Sequence, residues 1–394
     1  MLEKTRVEAY YAGYQLQQDL FDALNYLDKH PDPGPTDPPF AAATRVLRAC
    51  LLEDSAFATS WMTLIYPGGA AGMNVRRVSQ ALPWRARRIG PDAAASALAA
   101  YLASSTVDVT LNLAVGGVEL TERATLAKGV EVVPWSEALA SDDDLAWTNQ
   151  LTTGRRELCT AVFRQTIRVE KRFGDVSPHT FMPPANYSDI EAALSCVCIA
   201  GPIPLYAIGK WVTPEDGVPA INYLHGWGSF LEVKPHIAVL SPSQASAAAE
   251  LHFAFDALST ARRDLLSVPI RRLNSAMVRP TTVDAAIDLG IAMEALFIPE
   301  APQGKNRKHV LSARAAHRLA TNEPDADRIR RLFEELYQDR NIAVHRGRFA
   351  SAEAEASAKH RLSAGYPAVA RALGMSIRER IDWHAVAIRP KRRR

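Results

Sequence analysis

Leu332-Phe333-Glu334-Glu335-Leu336-Tyr337-Gln338-Asp339-Arg340-Asn341-Ile342-Ala343-Val344-His345-Arg346-Gly347 is the stretch that decides the reading of this chain. With Ile329 just upstream, Leu332, Phe333, Leu336, Ala343 and Val344 recur at helical spacing and define one core-facing stripe. Gly347 ends the helix. Arg340 falls on the stripe, and burying an unpaired charge is costly, so it needs a partner or a solvent-filled pocket. His345 comes five positions later, about 140° around the helix, and points off the stripe. Asn341 is one turn before His345, close enough to orient the ring.

The partner is found upstream. Thr281-Thr282-Val283-Asp284 has the form of a capping box with Asp in place of Glu, and the helix it opens runs to about Phe297. Val283, Ile287, Gly290, Ile291 and Phe297 share a face of that helix, and Glu294 sits among them. Two opposite charges on the apolar stripes of neighbouring helices predict a Glu294–Arg340 pair in the bundle core. On these two residues alone, a pair that fixes helix register is the leading reading. Arg340, Asn341 and His345 converging where a helix ends add a chemical one.

Outward from this segment the chain is helical from Ser241 onward. Ser241-Pro242 supplies a cap followed by a first-turn proline, and Leu251, Phe255 and Leu258 form one stripe. Further helices are predicted at about 308–320 and 324–347, with alanine-rich helices to about Leu373. Before residue 240 the character is mixed. Glu3 to Lys29 reads as a helix stopped by the prolines at 31–39, and a shorter helix follows over 41–52. Val107 to Leu113 alternates as a half-buried strand does, and short strands are predicted at 130–133, 161–169, 205–212 and 230–240. The expectation is an α+β N-terminal domain over 1–240, a helical domain over 241–375 and a basic tail over 376–394 that ends in Arg389-Pro390-Lys391-Arg392-Arg393-Arg394.

Composition fits such a protein. The chain has 394 residues, 47% hydrophobic and 23% charged, a globular balance that excludes wholesale disorder. Lys and Arg number 46 against 43 Asp and Glu, so global charge does not point to a partner. No apolar run approaches the ~20 residues of a membrane helix, and the N-terminus lacks a secretory pattern, so a cytoplasmic protein without membrane contact is expected. Cys50, Cys159, Cys196 and Cys198 lack paired metal-site spacing and read as buried thiols. Gly68-Gly69-Ala70-Ala71-Gly72 lacks the Lys-Ser/Thr of a phosphate loop. His225-Gly226-Trp227-Gly228 reads as a turn, His179 and His236 have no ligand partners at metal spacing, and Asp142 to Asp144 read as a loop or an acidic helix start.

Arg340-Asn341-x-x-x-His345, with Tyr337 upstream, resembles the Arg-x(4–6)-His motif of HEPN domains. Asp284 to Phe297 is similar to the opening helix of the ApeA-like HEPN group, with Met293 where leucine is common, and Ser312-Ala-Arg314-Ala-Ala316 is similar to its middle helix. The resemblance covers about residues 245 to 375 and implies an all-α HEPN-like helical bundle, which follows the α+β domain read above from pattern. It implies a homodimer, or a higher assembly, in which two Arg/His motifs share a cleft. The activity implied is a metal-independent endoribonuclease of toxin or phage-defence type that needs no cofactor and acts on RNA, tRNA included. Arg340, His345 and Asn341 would be catalytic, with Glu294, Tyr337 and Asp339 in support. Lys305, Arg307, Lys308, Arg346 and Arg348 would guide RNA. The N-terminal part would sense a regulatory protein or a phage-derived trigger. The alternative is a non-catalytic HEPN module that dimerises and binds RNA, nucleotide or a partner protein.

Overall fold

The computed structural model describes residues 61–66, 69–74, 104–120, 122–138, 158–173, 187–214, 237–299 and 306–379, with scattered positions between 86 and 100. The helices expected over 3–29 and 41–52, Cys50, Asp142 to Asp144, His179, His225 to Gly228, His236, Lys305 and the tail from residue 380 lie outside the described residues.

A mixed α+β region with a sheet precedes a helical region. The first contains strands β1 (Trp61–Tyr66), β2 (Gly69–Asn74), β3 (Thr106–Gly116), β4 (Val118–Leu120), β5 (Ala124–Thr125), β6 (Val130–Pro134), β7 (Ala161–Phe173), β8 (Tyr206–Pro214) and β9 (Ala238–Leu240). A single turn α1 (Trp135–Ala138) and helix α2 (Ser188–Ala200) also belong to it. The main sheet is antiparallel in the order β2-β1-β7-β3-β8, with β6 also on β7 and β5 on β6. The long β7 is its spine: the start pairs with β6, the end with β1, and β3 runs along the other side. Val109, Leu111, Leu113 and Val115 are buried as the alternation predicts. Asn112 and Ala114 on the other face are buried as well, so β3 is covered on both sides there. Asp108 and Arg168, opposite each other across β3 and β7, close two 2.7 Å hydrogen bonds.

The helical region has α3 (Pro242–Asp256), α4 (Thr260–Val278), α5 (Thr282–Phe297), α6 (Arg307–Leu319), α7 (Glu323–Arg346) and α8 (Ala352–Arg378). Local chemistry sets the starts. Ser241 and Gln244 form a reciprocal capping box on α3, Thr281 Oγ1 accepts from Asp284 N on α5 at 3.0 Å, and Asn322 Oδ1 accepts from Asp325 N on α7 at 2.9 Å. Gly347 ends α7 in the left-handed conformation (φ 63), and its N–H donates to the Ala343 carbonyl at 3.0 Å. Leu289, Met293, Leu311, Phe333, Leu336, Leu373 and Ile377 form the core.

Two expectations change. The alanine-rich helices are one helix, α8, that keeps Pro367 inside and buries Ser376 and Ile377, beyond the expected end at 375. Helix α4 was not anticipated, because Pro269 lies at its middle and proline usually interrupts a helix. Pro269 is buried there between Leu266, Ile270 and Leu273.

Helix α2 joins the two regions. It carries the Cys196-Val197-Cys198 segment and packs against β6 and β7 as well as α3, α4 and α8. Cys196 and Ile199 belong to the helical core, where Gly374 of α8 comes close to Ile199. Burial pushes the Cys196 thiol up to about 12 and raises that of Cys198 further, as expected for inert thiols. Beside this joint Lys128 takes a left-handed conformation (φ 56). Its Nζ reaches Asp189 of α2 at 3.0 Å and Asp256 of α3 at 2.6 Å. Among the described residues, no helix is long and apolar enough to cross a membrane.

Candidate functional site

The crossing of α5 and α7 assembles the candidate site. Gly290 makes it possible: a Cβ there would stand 2.2 Å from Arg340 Cγ, so the arginine stem lies directly on the bare backbone of α5. From that seat Arg340 Nη2 reaches Glu294 Oε2 at 3.4 Å, and Nη1 donates to Asn341 Oδ1 at 3.1 Å. The pair expected between Glu294 and Arg340 therefore exists, but at the rim of the bundle rather than in its core. The side chains are 16% and 22% exposed, while the fully covered face of α5 is that of Leu289, Ala292, Met293 and Leu296.

Tyr337, one turn before Arg340, is buried, with its ring centroid 5.8 Å from the guanidinium carbon. Burial and the neighbouring Glu294 carboxylate raise the pKa of its hydroxyl, while the cations of Arg340 and Arg307 oppose that shift. Two buried atoms of this group, Arg340 Nε and Glu294 Oε1, have no hydrogen-bond partner. A polar group buried without a partner is costly, and such atoms cluster where a ligand or water completes them.

His345 lies apart from this group. Every residue from Val344 to Arg348 is exposed, while Ala343 before them and Phe349 after them are buried. That placement corrects the expected stripe: Ile329, Phe333, Leu336 and Ala343 are buried and Leu332 is partly so, but Val344 is 46% exposed. It also corrects the role of Asn341, whose amide oxygen is turned to Arg340 rather than to His345. The imidazole and the cations of Arg346 and Arg348 stand in solvent at the C-terminal end of the helix, where the dipole favours positive charge.

Asp339 is not part of the site. It is buried on another side of α7, and Arg361 of α8 holds both carboxylate oxygens at 2.7 Å. Asp288 of α5 is a second buried acid, spanned by Arg272 at 2.6 Å and Arg279 at 2.7 Å. The sequence reading did not single it out. Of the basic cluster, Arg307 opens α6 with its Nε buried and unpartnered, and Lys308 beside it is partly buried. Gly290 was read only as a member of a face. Its role depends on how closely two helices cross, which no spacing in one segment reveals.

No group of three His, Cys, Asp or Glu side chains among the described residues is placed to hold a metal ion. Chemically, the arrangement offers a fixed guanidinium with free N–H capacity at the rim of the bundle and a solvent-facing imidazole about 7.5 Å further along the same helix axis. Comparison with models of protein families, with curated proteins and with solved structures finds no match to this chain.

Proposed function

We propose that the chain is a metal-independent endoribonuclease of HEPN type that serves as a toxin or anti-phage defence effector. The observation that carries this reading is Arg340, held against Gly290 by Glu294 and Asn341 with its Nε unsatisfied, on the same helix as the exposed His345. RNA brings its own nucleophile, so the reaction needs no metal-activated water. One imidazole takes the proton of the 2′-hydroxyl as its oxygen attacks phosphorus. The O2′–P bond forms, the P–O5′ bond breaks, and a second imidazole gives the 5′-oxygen its proton. The products are a 2′,3′-cyclic phosphate and a 5′-hydroxyl. The guanidinium stabilises the extra negative charge on phosphorus in the transition state. Two histidines come from two copies of the chain. Val344 and His345, exposed on the last turn of α7, leave a surface on which two copies can meet.

A second reading is a binding module that dimerises and holds RNA, nucleotide or a partner without cleaving. It draws on the freedom of His345, whose ring Asn341 does not orient. Expression of the wild type beside His345→Ala, with cellular RNA followed on a gel, separates the two. The nuclease reading expects RNA decay with the wild type only, and equal decay in both strains rejects it.

A further inference from the structure

We propose that the cavity between the start of α5, the end of α4, α8 and the chain joining α2 to β8 binds a small phosphate monoester with an apolar body. Thr282 in its wall is about 18 Å along α5 from Glu294, and the inference does not depend on the nuclease reading.

The cavity holds about 530 Å³, within the range of about 300–1,000 Å³ usual for small-molecule sites. Two contacts fix its walls. The Asn274 side chain pairs with both backbone groups of Leu205, at 2.6 and 3.0 Å, and so pins the Pro202–Pro204 segment against α4. The Tyr366 hydroxyl donates to the Ala276 carbonyl at 3.1 Å, tying α8 to α4. Pro202, Pro204, Met277, Leu362 and Pro367 give the body of a ligand an apolar lining.

Thr282, the first residue of α5, lines this cavity and is only 8% exposed, yet its hydroxyl forms no hydrogen bond. A buried polar group in that condition is costly until something completes it. The cap makes the same demand. Thr281 Oγ1 takes the Asp284 N–H at 3.0 Å, which leaves the N–H groups of Thr282 and Val283 for an acceptor. The helix dipole favours an anion at that end. Asp284 itself is exposed, accepts from Thr281 Oγ1 at 2.6 Å and does not line the cavity.

Charge decides the class of ligand. Among the described lining residues there is no carboxylate, while Arg279 and Lys359 are both present. Arg272 and Arg279 share the single carboxylate of Asp288, so that group keeps one positive charge in excess. Arg279 uses only its Nε there, and Lys359 forms no ion pair. A carboxylic acid would answer one of these two positive charges. A phosphate monoester carries about 1.5 to 2 negative charges at pH 7 and has three acceptor oxygens for the hydroxyl, amide, ammonium and guanidinium donors.

Phenyl phosphate is the probe, its affinity for the full chain measured by ligand-observed NMR titration. It should bind at least tenfold more tightly than benzoate, benzyl alcohol or inorganic phosphate, each of which lacks part of the match. Lys359→Gln, at an exposed position, should weaken binding about tenfold through loss of a charge-assisted contact. Thr282→Val, which keeps the shape and removes the hydroxyl, should weaken it about fivefold. Ser363→Trp, at an exposed lining position, should block entry. Arg340→Gln and Arg328→Gln should bind as the wild type does. Melting curves confirm that each variant is folded at the temperature of the titration. No binding by the wild type, benzyl alcohol bound as tightly, unchanged affinity in Lys359→Gln, Thr282→Val or Ser363→Trp, or an equal loss in Arg340→Gln overturns the proposal. Failure of the nuclease reading appears separately, as RNA decay indifferent to His345.

Discussion

The stem of Arg340 lies across the α carbon of Gly290, and a methyl group at that point would come within 2.2 Å of Arg340 Cγ. The arginine owes its position to a missing side chain on the neighbouring helix. Gly290→Ala must push Arg340 away or part the two helices. Overpacking of this kind costs about 1–3 kcal/mol, and a misplaced catalytic group costs about a hundredfold in rate. A urea melt and an RNA cleavage assay on Gly290→Ala should show both losses, while wild-type activity would mean that the position of Arg340 does not matter to the chemistry.

Asp339 makes the opposite prediction. Its two hydrogen bonds to Arg361 clamp α7 to α8 away from the site. Removing one partner of a buried pair costs about 3–5 kcal/mol, and the partial exposure of Arg361 places the cost of Asp339→Asn at the lower end, about 3 kcal/mol. The unfolding midpoint should fall while cleavage per folded molecule stays the same. Lost cleavage at full stability would return Asp339 to the site.

Acid should loosen the joint between sheet and helices. His252 of α3 is 1% exposed, and neither ring nitrogen has a hydrogen-bond partner. Burial lowers its pKa, helped by the charge of Lys128 and opposed by Asp189 and Asp256. Below the ordinary histidine value of about 6.5, the unfolded chain takes up a proton that the folded chain refuses. The stability it contributes is therefore complete above that pH and is lost as pH falls toward the depressed folded value, by up to about 1.4 kcal/mol per pH unit. Melting temperatures at pH 7.5 and 5.5 should differ more in the wild type than in His252→Leu. An equal difference in both would show that His252 does not carry the effect.

The parts of the fold legible in the sequence are those with local causes. Caps at Ser241 and Thr281, the glycine at 347 and the apolar repeats of α5 and α7 each act within a few residues, and the helices start and stop close to where they say. The alternating strands β3, β6, β7 and β8 are visible for the same reason. Strand β2, Gly69 to Asn74, is mostly glycine and alanine, residues with little strand preference, and only its pairing with β1 makes it a strand. Helix α2 is apolar on several faces because both the sheet and the helices cover it, and such a run has no helical period to read. At the site, Arg340 and Glu294 were visible as charges on apolar faces. Asp288 was not, since its partners Arg272 and Arg279 lie upstream of α5 and only packing brings them together.

Helix α2 also governs how the protein can be divided. It comes before Ser241 in the chain, yet Cys196 and Ile199 fill the same interior as Leu251, Leu273 and Leu373. A fragment beginning at Ser241 would leave an oily socket open to water where those side chains belong. The halves are less like beads on a string than like two rooms sharing one wall, with α2 packed on the sheet from one side and on α3, α4 and α8 from the other.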